Sequence, residues 1–173
     1  MKEEYDKKLV ESFPLLYTDR HTSMRSTAMC WGFSCNDGWF NILWDLSSKL
    51  EPLLQKFHSE YPDIESPPRA SQVKEKFGGL RFYMTSASDE MYDLIEKAEG
   101  LSYKTCEDCG MPGKERGGGW IITHCDDCHE KKIMEASNKV INDHKNTFQK
   151  LAHDSPCLGC GCNPCDCSWG SEK

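Results

Sequence analysis

Cys106, Cys109, Cys125 and Cys128 stand as two C-x2-C pairs with fifteen residues between them. A thiolate is a soft anionic donor, and two such pairs at this separation have the ligand spacing of a tetrahedral zinc. The two residues inside each pair let the backbone turn back so that both sulfurs reach one ion, and Gly110 permits the tight turn after the first pair. Four thiolates close such a site and leave no coordination position for water or substrate, so the chemistry expected here is structural. His124 and His129 flank the second pair and could replace a ligand or donate to a thiolate; exposed side chains without a metal role are the simpler reading.

The elements that must position these cysteines follow in order. A knuckle holds the first pair, Gly117, Gly118 and Gly119 turn a hairpin into the strand-like Trp120-Ile121-Ile122-Thr123, and Cys125 and Cys128 open a helix. That order predicts a treble-clef finger over residues 102–152. Its helix carries Ile133, Met134, Val140, Ile141, Phe148 and Leu151 as a stripe, and unbroken to Ala152 it is about 40 Å long, longer than a small domain needs, so part of it is expected to face a partner. Trp120 beside mobile glycines, with Lys114 and Arg116 close by, is the expected contact point, because aromatic and arginine side chains supply much of the energy of interfaces; the alternative is an indole packed on the finger's own helix. Beyond it, residues 153–173 hold Cys157, Cys160, Cys162, Cys165 and Cys167, a possible second metal site that would draw on four of the five, with His153, Cys30 or Cys35 as further candidates. With so little apolar content, only metal would order that tail. Cys30 and Cys35 otherwise read as ordinary buried thiols.

Residues 1–101 read as an α+β body. A short amphipathic helix precedes Pro14, and a glycine- and tryptophan-rich stretch follows it. Asn36 and Asp37 are good helix N-cap types. From there Trp39, Phe40, Leu43, Leu46, Leu50, Leu53, Leu54 and Phe57 recur three or four apart as one helix face, with a bend expected at Pro52. Three prolines mark 61–68 as a loop. Residues 70–77 and 80–85 alternate around Gly78-Gly79 and predict a β-hairpin on a two-glycine turn, with Val73, Phe77, Leu80, Phe82 and Met84 on an apolar face that the helix covers. A further helix over 89–101 delivers the chain to the first cysteine pair.

Composition limits the function. The formal net charge is −7, and a zinc held by four thiolates adds about −2. Such a surface repels phosphate backbones unless basic residues cluster. Lys74, Lys76 and Arg81 among Phe77, Phe82 and Tyr83, with Lys104, Lys114, Arg116, Lys131 and Lys132 around the finger, form the nucleic-acid alternative, against which stand Glu75, Glu107, Asp108, Asp126, Asp127 and Glu130 in the same stretches. No apolar h-region or membrane-length run is present, so a cytoplasmic setting is expected; there, eleven cysteines, an odd number, fit metal better than disulfides. The letters of a zinc-deaminase signature occur at His58-Ser59-Glu60 and 156–160, but almost a hundred residues and a separate finger lie between them. Metalloprotease, nucleophile-elbow and phosphate-loop motifs do not occur.

Three segments together carry a resemblance: C-W-G-F-S-C-N-D-G-W-F-N-I-L at 30–43, Q-V-K-E-K-F-G-G-L-R-F-Y at 72–83, and A-E-G-L-S-Y-K-T-C-E-D-C-G-M-P-G at 98–113 followed by G-G-G-W-I-I-T-H-C-D-D-C. Residues 24–130 resemble a group of small uncharacterised proteins of bacteriophages and prophage-bearing bacteria, some of which end the second pair as C-x2-H. The resemblance implies that setting and no activity. The expectation is a zinc-stabilised, non-enzymatic interaction protein that binds a host or phage macromolecule, a protein first and nucleic acid as the alternative, with a metalloenzyme built on the tail least supported.

Overall fold

A computed structural model describes residues 1–154, with side chains described through Thr147; the five tail cysteines, and with them the second metal site, lie outside the described residues. The fold is mixed α+β. Its helices are α1 (Glu3–Ser12), α2 (Phe40–Glu60), α3 (Asp89–Ser102) and α4 (Asp126–Asp154); its strands are β1 (Phe33–Ser34), β2 (Ala70–Lys76), β3 (Gly79–Met84), β4 (Lys114–Arg116) and β5 (Ile122–His124). They make a three-stranded sheet in the order β1-β2-β3 and a two-stranded sheet of β4 and β5. Met1–His129 form one compact unit, and a second begins at Glu130.

The first unit is built on one core. Leu43, Leu46, Leu50 and Leu54 of α2 meet Val73, Leu80 and Phe82 of the sheet, Met91, Ile95 and Ala98 of α3, and Leu9 and Phe13 from the N-terminal segment. The helical and strand periodicities of the sequence put these residues inside. α2 runs as one helix through Pro52. Ser88 caps α3 by accepting the Met91 N–H, and α3 closes the outer edge of the sheet: Ser102 Oγ accepts the Leu80 N–H at 2.8 Å and Glu99 accepts that of Phe82 at 2.9 Å. An edge strand left open would offer these donors to another chain.

Three expectations are corrected, those of the turn register, the face of Phe77 and the cap of α2, and a strand is added to the hairpin. The hairpin turn falls on Phe77 and Gly78, with φ of 54° and 75°, and Lys76 pairs with Gly79 inside the ladder; two successive positive φ values are the geometry of a two-residue turn matched to strand twist. Phe77 therefore leaves the apolar face and is 63% exposed. The sheet has a third strand, β1, which joins β2 in parallel with Phe33 opposite Val73. Asn36 and Asp37 do not cap α2. Asp37 instead pairs with Lys2 at 3.1 Å, and Asn36 turns to the cysteine knuckle. Trp39 is fully buried, whereas Trp31 is 67% exposed.

Within this core Glu51 is buried and takes the Leu15 and Leu16 N–H groups on its two carboxylate oxygens, both at 3.0 Å. It fixes the turn after α1 against α2. Glu51→Ala leaves two backbone donors without their acceptor and should lower unfolding free energy in urea by about 1–3 kcal/mol, whereas Glu60→Ala at the exposed end of the same helix should change it by less than about 0.5 kcal/mol.

Candidate metal centre

The finger has the treble-clef order. The N–H of Cys106 donates to the Met111 carbonyl at 2.8 Å and that of Gly110 to the Cys106 carbonyl at 2.9 Å, while Gly110 takes the left-handed conformation, φ 76°, that closes the knuckle. β4 and β5 pair antiparallel from Lys114–His124 to Arg116–Ile122. Cys125 follows β5, and Cys128 lies in the first turn of α4, its N–H directed at the Cys125 sulfur at 3.4 Å.

These elements gather the four sulfurs of Cys106, Cys109, Cys125 and Cys128 within 4.8 Å of one another, with Cys109 and Cys125 3.6 Å apart. Four thiolates around a tetrahedral ion at metal–sulfur distances of about 2.3 Å are separated by about 3.8 Å, so the cluster has the size of a one-ion site. Its electrostatics ask for a cation. Burial and the neighbouring sulfurs of Cys125, Cys109 and Cys106 push the Cys128 thiol far above its ordinary value. Burial also opposes ionisation of Cys106, but backbone N–H groups of Cys125, Cys109 and Asp108 aimed at its sulfur outweigh that and hold it below the ordinary value. Thiolates gathered this closely repel one another, and a divalent ion at the centre would offset that charge.

The two acidic residues inside the first pair, read from the sequence only as charge, tie the knuckle down. Glu107 is buried; its carboxylate accepts the Asn36 N–H at 3.0 Å, its carbonyl accepts the Gly38 N–H at 2.8 Å, and its own N–H donates to Thr123 of β5 at 2.9 Å. Asp108 accepts from the Asn36 amide at 2.7 Å and lies 3.2 Å from Nε2 of His124. His124 is fully buried against this carboxylate, and neither it nor His129 belongs to the sulfur cluster. The indole of Trp39 donates to the Thr105 carbonyl at 2.9 Å, one residue before Cys106. Of the remaining described cysteines, Cys30 directs its sulfur to the Thr27 carbonyl at 3.2 Å, and Cys35 is a buried thiol pushed up to about 12 by burial.

The contact candidates are placed unevenly. Arg116 and Lys114 both engage Asp126, Lys114 at 3.0 Å, and the Arg116 side chain is mostly covered. Trp120 is 74% exposed. It lines a groove of about 520 Å³ with Ile121 and Gly119 on the finger and Phe77, Lys76 and Lys74 on the hairpin. Thr123 Oγ1 donates to the Gly78 carbonyl at 2.6 Å and holds the two walls together. Strand alternation alone puts Phe77 on the apolar face; the Gly-Gly beside it and the basic residues grouped with it in the nucleic-acid alternative are the signals for the surface.

No protein-family model matches the chain, and neither a curated protein nor a solved structure does. No described helix is long and apolar enough to cross a membrane.

One contact joins the site to the core with no side chain between. A Cβ on Gly38 would lie 2.2 Å from the Cys106 carbonyl oxygen, 2.5 Å from the Gly110 nitrogen and 2.6 Å from the Glu107 carbonyl oxygen, all of them backbone atoms. Gly38→Ala should therefore push the knuckle from its seat, lower stability by about 1–3 kcal/mol and reduce bound metal in elemental analysis. Gly100→Ala, where a Cβ meets nothing within 4 Å, should retain the metal.

Proposed function

We propose that this chain is a zinc-stabilised, non-enzymatic interaction protein of phage or prophage type, which binds a host or phage macromolecule in the cytoplasm and modulates it. The observation that carries the reading is the groove between the hairpin turn and the finger loop, which Phe77 and Trp120, two large exposed aromatics from distant parts of the chain, line together. Exposed aromatics concentrated in one concave place are typical of contact sites. Zinc is the ion assigned to the cluster because four thiolates in paired C-x2-C spacing are its usual structural ligand set. A site closed by four thiolates supports scaffolding and not turnover, and reduced thiols fit a cytoplasmic setting. The phage setting rests on the sequence resemblance.

A nucleic-acid reading is favoured by one specific observation, the ammonium groups of Lys74 and Lys76 over the rings of Tyr83 and Phe77, at 5.4 and 5.2 Å. The net charge of −7 opposes it. A metalloenzyme would have to use the tail, which lies outside the described residues.

The test is a paired substitution. Purified protein should carry at least one zinc per chain. Trp120→Ala should keep that zinc and its melting temperature while losing the macromolecule the wild type captures, and Trp31→Ala, equally exposed but outside the groove, should still capture it. A fall in stability approaching the roughly 3–5 kcal/mol of a core truncation, or unchanged capture, would remove Trp120 from the binding surface.

A further inference from the structure

We infer that the groove between the hairpin turn and the finger loop binds an extended peptide segment in which carboxylates alternate around an apolar anchor side chain. The inference rests on the interaction-protein reading and specifies its ligand. It begins with Phe77. A non-glycine residue at φ 54° is held in a region that costs about 1–2 kcal/mol, and turns of this kind prefer Asn or Gly there. Phe77 is 63% exposed, so no burial of its ring offsets that cost within the described fold. Residues that violate a local rule without a packing gain concentrate at functional sites.

Opposite Phe77, Trp120 and Ile121 form the second apolar wall, on a loop where Gly118 and Gly119 have φ of 129° and 108° and where a Cβ on either would meet nothing within 4 Å. About 520 Å³ between the walls is room for an apolar side chain and its neighbours.

Charge selects the ligand. Lys74 and Lys76 are two residues apart on β2 and so leave the strand on one side, their Cα atoms about 7 Å apart. Their ammonium groups rest over the Tyr83 and Phe77 rings and form no ion pair among the described residues. The one acid between them, Glu75, also lines the groove and is tied to the hairpin turn, its carboxylate accepting the Gly78 N–H at 2.7 Å. Alternate side chains of an extended peptide share one face with a repeat of about 7 Å, so carboxylates at i and i+2 can reach the two lysine side chains while the residue between them turns its apolar side chain to the opposite wall, Trp120 and Ile121. A nucleic-acid strand would gain only these two neutralised phosphates, a small electrostatic return, against a protein whose net charge is −7.

The full-length protein is panned against a random-peptide display library, and an enriched peptide is synthesised with a fluorescein label for anisotropy. Enriched sequences should carry Asp or Glu two residues apart around Trp, Phe or Leu. Affinity should fall about tenfold in the Lys74→Glu/Lys76→Glu double variant and again with added salt. Phe77→Asn should also weaken binding about tenfold while keeping or raising the melting temperature, since Asn relieves the turn; that separates a lost contact from a lost fold. Enrichment without acidic residues, or binding indifferent to these substitutions, would overturn the inference. Binding of labelled oligothymidylate that depends on Phe77 and Trp120 would overturn it in favour of nucleic acid and leave the interaction-protein reading standing. Self-association through Trp120 in sedimentation would overturn it in favour of a second copy. If nothing binds the groove and Trp120→Ala still captures the wild type's partner, both readings fall.

Discussion

The backbone of the cysteine knuckle rests on the backbone of Gly38, and the other contacts of the finger follow from that seat. Close approach of two main chains leaves no side chain between them to adjust by rotamers, so the Cys106 backbone sits directly against Gly38 at the α2 end of the core. Glu107 then acts as a three-way tie between Asn36, Gly38 and β5. Trp39 anchors the segment just before Cys106 from inside the core. The treble clef is thus set into the α+β unit, and the sulfurs of the second pair are brought to the first by β5, whose Thr123 is held by both Glu107 and the hairpin turn.

This arrangement divides the energetic roles. The apolar core of α1, α2, α3 and the three-stranded sheet is continuous without the cysteines apart from Cys35, and hydrophobic burial accounts for its formation. The finger has almost no core of its own: Trp120, Ile121 and Met111 are exposed, and the two-stranded sheet has three residues in each strand. What can hold it is the sulfur cluster and the polar ties of Glu107, Asp108 and His124. A structural ion supplies about 10 kcal/mol or more of apparent folding free energy in small zinc modules, much more than those hydrogen bonds at about 1 kcal/mol each. The groove inherits this division, because one wall belongs to the core-supported hairpin and the other to the finger loop beside the sulfur cluster.

Much of this was legible in the sequence where a pattern is local. Paired cysteine spacing marked the sulfur cluster, leucines three and four apart marked α2, and alternation marked β2 and β3. Patterns that were too short or too distant failed. β1 has two residues, Phe33 and Ser34, fewer than alternation needs to declare itself. Glu107 and Asp108 act on Asn36 from more than seventy residues away, so the letters gave charge without partners; the same distance turned Asn36 from an expected helix cap into a support of the knuckle. The turn was misplaced by one residue because glycine pairs normally mark positive φ, whereas here Phe77 takes the first strained position. Gly79 is a glycine for a different reason: its Cβ would lie 2.3 Å from the Tyr103 ring.

Cobalt(II) spectroscopy on a chain whose tail cysteines 157, 160, 162, 165 and 167 are replaced by Ser tests the central claim, that Cys106, Cys109, Cys125 and Cys128 enclose one tetrahedral ion. The expected result is an intense visible spectrum with sulfur-to-cobalt charge transfer that saturates at one equivalent, is displaced by zinc and is lost with Cys109→Ser. A weak octahedral spectrum, or a tetrahedral one that survives Cys109→Ser unchanged, would contradict it.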